Sequence, residues 1–394
     1  MYNGNILIVQ SGGSTAVINS SLSGIIREAR ERFPLSRILG ADHGIDGIIS
    51  SNLIDMTNLS EDKLTFLDET TGAALGSSRH KILPNDIDPI LDVLRRNEIR
   101  MIHIIGGNDS AETGLELSKA AIHTNYDLIV INVPKTIDND LVLTDHCPGY
   151  GSAARFIAQA TLGAARDAWS MNMSSPITII EVMGRDAGWL AVSSSLYKKD
   201  ESDPPHFIGV PEIPLDEEYF LSKIEAFYKK NGYAVAIIAE NVRGPKGVIG
   251  NQEKPWFIDE FGHQYFDGPA KHLSHRVMNE LNVRCRFEKP GTIQRSLGDS
   301  VSEIDRFEAH LVGMNAVRCA SNDIRDVIIT LDRLKGESYQ CATTHAHLAE
   351  VAGKTRVLPK EFLPDASGNT SQDFKDYLRP LIGRPIAGTY SVIP

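Results

Sequence analysis

The feature that most constrains this chain is a short apolar run, Leu128–Ile131, that breaks into the polar stretch Val133-Pro134-Lys135-Thr136-Ile137-Asp138-Asn139-Asp140. Consecutive apolar residues over so short a length read as a strand buried on both faces, the habit of parallel sheets. The polar stretch then leaves the sheet at the strand's carboxyl end, where open α/β sheets bind their ligands. It sets a cation, a hydroxyl and two carboxylates in one loop. Taken alone, ordinary turn chemistry explains an Asp/Asn turn equally well. Two upstream segments repeat the arrangement. Asn5–Gln10 is apolar, ends in Ser11-Gly12-Gly13-Ser14-Thr15, and is followed by helical spacing over 16–33. Arg100–Ile105 ends in Gly106-Gly107-Asn108-Asp109-Ser110, with helical spacing over 111–121 behind it and Asp109 or Ser110 placed to cap that helix.

Strand, glycine turn and helix start form a cradle for phosphate: glycine lets the backbone come close, and the first helical N–H groups face the anion. Neither GxGxxG nor GxxxxGK[ST] occurs at these turns, which argues against a nicotinamide dehydrogenase and a Walker-type nucleotide site. A further Gly/Ser loop, Gly72–Lys81, carries Arg79 and Lys81, a bidentate fork and a point charge suited to an oxyanion. Three loops on one sheet edge, with amides, cations and carboxylates, describe a site for phosphates and a divalent ion.

The rest of the chain continues the alternation. Helical spacing spans about 87–96, 150–171, 217–230, 273–281 and 307–321. Strands are predicted at about 37–41, 177–182, 206–210, 234–239 and 284–287, with 44–67 irregular and the part from residue 337 mixed. Glu240 falls at a strand's carboxyl end. The pattern predicts two doubly wound, mostly parallel α/β/α domains with the site in the cleft between them. At 394 residues the chain is too long for one ordinary core. One domain is expected at 1–148 plus about 294–345, and the other at 149–293 plus about 346–394.

A net charge of −11 argues against a nucleic-acid partner but leaves room for a local cationic pocket. No apolar run reaches the ~18 residues of a membrane helix. Cys147, Cys285, Cys319 and Cys341 are far apart and fit reduced thiols, so a cytoplasmic protein is expected. Cys341, His345 and His347 lack a fourth ligand nearby and read as an ordinary turn and helix start rather than a zinc site.

With these motifs in hand, the chain resembles the phosphofructokinase family. Five blocks match in order: Ser11–Gly13, Ser77–Arg79, Gly106–Ser110, Pro134–Asp140 and Met183–Arg185, extended by Glu240 and by Ile293-Gln294-Arg295 with Arg286 nine before Arg295. Within the family, Asp at position 109 and Lys at 135 mark the pyrophosphate-using branch, where ATP-using bacterial members carry glycine. The physics agrees. A carboxylate at 109 opposes the charge of an ATP α-phosphate, and a cation at 135 neutralises donor phosphate.

The resemblance implies phosphoryl transfer from pyrophosphate to the 1-hydroxyl of fructose 6-phosphate. It makes Asp138 the general base, assisted by Lys135 and Asp109. Gly13, Arg79 and Gly107 would cradle pyrophosphate, and Asp140 with Asn108 would hold Mg2+. Thr136, Met183, Gly184, Arg185, Glu240, Arg286, Thr292 and Arg295 would hold the sugar phosphate. It also implies a homodimer or homotetramer. Three positions depart from the family pattern: Asn108 replaces an acidic metal ligand, Thr292 a His or Tyr at the sugar, and Pro176 an Arg lent by a neighbouring subunit. The latter two keep open another acceptor such as sedoheptulose 7-phosphate, and Asn108 a silent sugar-phosphate-binding subunit; an ATP-dependent 6-phosphofructokinase is the rival on the donor side.

Overall fold

The apolar runs become strands. In the computed structural model, which describes residues 4–251, 255–258, 264–336 and 338–386, the chain divides into two units. They are Met1–Ser152 with Arg295–Arg356, and Ala153–Gln294 with Val357–Pro394.

The first unit is built on a seven-stranded sheet. Its strands are β1 (Asn5–Gln10), β2 (Ile38–Ala41), β3 (Leu53–Asp55), β4 (Ile99–Gly106), β5 (Ile129–Pro134), β10 (Val327–Arg333) and β11 (Cys341–His347). They lie in the order β11-β10-β5-β4-β1-β2-β3. All neighbours are parallel except the two edge pairs, β2 with β3 and β10 with β11. The chain winds outward from β1 to β2 in one direction and through β4 and β5 in the other. The switch point, where a crevice opens, therefore falls between the ends of β1 and β4.

Burial on both faces explains the unbroken apolar character of the central strands. Ile6, Ile8, Met101, Ile129 and Ile131 pack under α1 (Ile18–Arg32) and α6 (Glu303–Ser321), which contribute Leu22, Ile25, Val312 and Ala316. Leu7, Val9, Ile102, Ile104 and Val130 pack on the other face with Ala111 and Leu117 of α2 (Asn108–His123). Each buried Ile, Leu, Val or Met among these stabilises the fold by roughly 1.5–3 kcal/mol, and each Ala by less.

The second unit holds a four-stranded sheet of β6 (Ile177–Val182), β7 (Phe207–Gly209), β8 (Ala234–Ala239) and β9 (Cys285–Glu288), ordered β9-β6-β8-β7 and parallel throughout. Ile177, Ile179, Ala236 and Ile238 meet Phe220, Ile224 and Phe227 of α4 (Glu217–Asn231) and Leu273 and Val277 of α5 (Pro269–Leu281). Asp216 caps α4 by accepting from the Glu218 and Tyr219 amides, and Gly232 ends it in the left-handed conformation. Helix α3 (Tyr150–Ser170) precedes β6.

The mostly parallel α/β architecture expected from the alternation is what the structure shows, with local differences. The stretch 44–67 is not irregular: it contains a helix at Ile45–Ile49, β3, and a helix at Glu61–Glu69 capped by Ser60. These elements are too short for a periodic signal to emerge. The region Cys341–His347 is an edge strand rather than a turn and helix start. Its residues are partly buried or, at His345 and His347, exposed, so the apolar alternation that would reveal a strand is missing. Val327–Arg333, for which the spacing predicts no element, is β10, with Val327, Ile328, Ile329 and Leu331 in the core. The cysteines are free thiols, three of them buried. No helix among the described residues is long and apolar enough to cross a membrane.

Candidate active site

In the first unit, three loops meet at the switch point because their strands are neighbours. The Lys135 amide donates to the Gly106 carbonyl at 3.0 Å, continuing the β4–β5 ladder into the loops. The Ser110 hydroxyl donates to Ser11 Oγ at 2.9 Å, tying the turn after β4 to that after β1. The loop with Arg79 docks on the same place. Ser11 and Ser78 form a parallel bridge, the Gly12 amide donates to the Ser78 carbonyl at 3.0 Å, and the Ser77 hydroxyl donates to the Gly12 carbonyl at 2.6 Å. His80 spans Asp46 at 2.8 Å and Asp86 at 3.0 Å, and its hydrogen bond to Asp86 is the first cause of a pKa held above the ordinary histidine value. Arg79 itself is exposed at the end of this braced loop.

Lys135 is 3 % exposed, and its ammonium donates to the Gly13 carbonyl at 2.6 Å. A cation held out of water at a sheet's ligand edge is placed for an anion. A Cβ at Gly13 would lie 2.6 Å from an Arg295 guanidinium nitrogen, so a larger residue there would displace that side chain. Arg295, expected on the sugar phosphate, thus has its guanidinium against Gly13 in the turn after β1.

The turn after β4 differs from expectation in one respect. Helix α2 begins at Asn108, with Gly107 as its N-cap and no side-chain cap, so Asp109 and Ser110 lie in the first turn rather than at the cap. Asp109 is exposed there. Asn108, expected on the metal, has both ends of its amide engaged elsewhere. Its nitrogen donates to the Lys354 carbonyl at 2.7 Å and its oxygen accepts from the Gly353 amide at 2.9 Å.

The stretch after β5 is held from three sides. The Asp138 amide donates to Thr136 Oγ at 3.1 Å. Asn139 adopts φ 56°, a left-handed conformation that Asn tolerates, and its side-chain oxygen accepts from the Cys147 amide at 3.0 Å. Arg356 then staples the loop. Its guanidinium donates to the carbonyls of Asn139 at 3.0 and 3.1 Å, Thr144 at 2.6 Å and Asp145 at 2.5 Å, and its amide donates to the Asp140 carbonyl at 2.7 Å. Thr136 bridges Gly149, whose amide donates to Asp305 at 2.7 Å. Asp305 also accepts from the Ser152 amide and hydroxyl at 2.9 and 2.6 Å. Burial pushes its pKa up to about 6, against the opposing pull of those hydrogen bonds.

In the second unit, Met183, Gly184, Arg185 and Glu240 come together at the carboxyl ends of β6 and β8. Glu240 Oε1 accepts from the Gly184 amide at 3.2 Å and the Arg185 amide at 3.0 Å. Gly184 has φ 138°, a conformation that L side chains rarely adopt. The buried Gln294 accepts from the Met183 amide at 3.2 Å. Arg185 is exposed. Arg286 on β9 pairs with Asp167 at 2.7 Å. Thr292 is exposed just before a single helical turn, Ile293–Ser296.

Sequence reasoning missed Arg356, Asp305 and the role of Gln294. Gln294 lies inside the Ile293-Gln294-Arg295 motif. Arg356 and Asp305 stand in segments with no motif, and their partners are more than a hundred residues away.

Comparison with known proteins finds relatives over nearly the whole chain. The family model described as phosphofructokinase matches residues 5–320. A pyrophosphate–fructose 6-phosphate 1-phosphotransferase from Xanthomonas campestris pv. campestris (strain B100) is 36% identical over 388 residues, 97% of this chain and 92% of the relative. One of the same name from Rhodospirillum rubrum is 36% identical over 397 residues, 99% of this chain and 97% of the relative. The crystal structure of a pyrophosphate-dependent phosphofructokinase from Nitrosospira multiformis superposes with a TM-score of 0.87 at 32% identity, covering 98% of this chain and 94% of that one.

Proposed function

Because the chain belongs to the phosphofructokinase family, we propose that it transfers a phosphoryl group from pyrophosphate to the 1-hydroxyl of fructose 6-phosphate. The observation that carries the donor assignment is the pair Asp109 and Lys135 on adjoining loops of the switch point. Lys135 is a buried cation beside Gly13, and Asp109 lies in the first turn of the helix whose amides would face the donor. Negative charge at 109 disfavours a nucleotide α-phosphate, while Lys135 attracts the compact charge of two linked phosphates.

In this reading Gly13, Arg79, Gly107 and Lys135 cradle pyrophosphate. Asp138 takes the proton of the sugar 1-hydroxyl as it attacks, and Thr136 Oγ fixes the loop backbone at that carboxylate. Asp138 and Asp140 offer carboxylate oxygens only, the hard donor set that suits Mg2+ over a soft metal. Asp140, 6 % exposed, would hold the ion. When bound, Mg2+ neutralises charge on the donor phosphates. Asn108 serves better as the brace of the 353–354 turn than as a ligand, because coordination would cost it the Gly353 hydrogen bond. Met183, Gly184, Arg185, Glu240, Arg286, Thr292 and Arg295 are assigned to the sugar phosphate, with Arg286 exchanging Asp167 for the 6-phosphate. Catalysis rests on positioning and charge neutralisation.

The test is a steady-state assay of the purified chain with Mg2+ and either pyrophosphate or ATP, against fructose 6-phosphate and sedoheptulose 7-phosphate. Pyrophosphate with fructose 6-phosphate is expected to be the preferred pair. The double variant Asp109→Gly/Lys135→Gly should raise the ATP-to-pyrophosphate ratio of kcat/KM by at least about tenfold. A wild-type chain that prefers ATP overturns the donor assignment.

A further inference from the structure

A second cluster of metal-binding groups lies in the first unit, in side chains that the phosphoryl-transfer reading does not use. Ligand atoms of His146, Glu308 and Cys341 lie within 4.8 Å of one another. They come from three separated segments: the loop after the catalytic stretch, helix α6, and the first residue of β11. His146 and Glu308 are 1 % and 2 % exposed, and Cys341 is half-buried. The His345 and His347 of the sequence motif are not part of it. Both are exposed, and a strand's rise of roughly 3.3 Å per residue puts His345 about 13 Å from Cys341 along β11.

We propose that His146 Nε2, a Glu308 carboxylate oxygen and Cys341 Sγ form a binding site for Zn2+ or a cation of the same class, with water completing a tetrahedron. One nitrogen, one oxygen and one sulfur form the mixed donor set of a borderline-soft ion and a poor set for Mg2+. Bonds of about 2.0–2.3 Å give a tetrahedron with edges of roughly 3.3–3.8 Å, so the present separations need to change by about an ångström. The supporting shell is already built. Asp145 Oδ1 lies 2.8 Å from His146 Nδ1, the carboxylate–histidine arrangement that aims the other ring nitrogen at a metal. Glu308 Oε2 lies 2.7 Å from His146 Nε2, and the ion would take the place of the proton between them. The Tyr339 hydroxyl donates to the other oxygen, Oε1, at 2.5 Å, so Glu308 would stay oriented. Arg333 sits 3.2 Å from Asp145 and offsets that carboxylate. Charge balances: the dication enters as one proton leaves the imidazolium and one leaves the thiol. Bound there, it would join the β10–β11 hairpin and α6 to the loop that runs on to Gly149, the bridge partner of Thr136.

The test uses the full chain, stripped with chelator and titrated with Co2+ and then Zn2+ in excess Mg2+. The expected result is about one equivalent of Co2+ per chain with a thiolate-to-cobalt charge-transfer band, displaced by Zn2+ and not by Mg2+. Cys341→Ser should abolish the band, Glu308→Gln should weaken binding at least about tenfold, and Cys319→Ser should leave both unchanged. Zn2+ should also slow alkylation of Cys341 in the unmodified chain, read by peptide mass spectrometry, which needs no variant to fold. No charge-transfer band, equal metal retention by wild type and Cys341→Ser, or alkylation indifferent to Zn2+ overturns the proposal.

Discussion

Replacing His103 with Leu should make the first unit more stable, and increasingly so as the solution is acidified. His103 lies at the middle of β4, 0 % exposed, in register with Ile8 on one side and Ile131 on the other. Neither ring nitrogen has a hydrogen-bond partner among the described residues. Leaving a buried polar group unpaired costs about 1–3 kcal/mol, and Leu matches the imidazole to its δ atoms without polar groups. Burial also holds the folded-state pKa at about 4, below the ordinary 6.5. A base with a lowered folded pKa binds its proton in the unfolded chain first, so stability is intact above 6.5 and lost as pH falls toward 4. Those two values give a loss of about 2 kcal/mol between about pH 8 and about pH 5. The assay is urea unfolding of wild type and His103→Leu at the two pH values. The variant should be at least as stable at the higher pH, and the gap should widen by about 2 kcal/mol at the lower. Parallel pH dependence in the two proteins, or a variant weaker at both values, refutes the reasoning.

Two further outcomes concern the loop after β5. Asp138→Ala should lower kcat by at least about a hundredfold with little change in the thermal midpoint, because the Thr136, Asn139 and Arg356 side chains hold its loop; a loss under roughly tenfold means Asp138 is not the base. Arg356→Ala removes the guanidinium that holds the carbonyls of Asn139, Thr144 and Asp145, and should lower kcat at least about tenfold as Asp138 and Asp140 lose their position. Wild-type turnover in that variant would separate the staple from catalysis.

The central strands, the long helices and the loops that carry the candidate site were legible in the sequence. Each rests on a local rule: a short apolar run for a strand buried on both faces, periodic spacing for a helix, glycine where the backbone turns tightly. The motif residues were legible for the same reason, since a loop such as Gly106–Ser110 or Pro134–Asp140 is contiguous in the sequence. Tertiary structure alone decided which elements became neighbours. Cys341 and His347 share a strand, yet Cys341 meets His146 and Glu308 because the edge of the sheet passes over α6. Asn108 turned to Gly353 and Lys354, Arg295 came to rest beside Gly13, and Arg356 reached back to Asn139. Such contacts cross up to some hundreds of residues. Their energies depend on the winding order of the strands, which no local window of sequence contains.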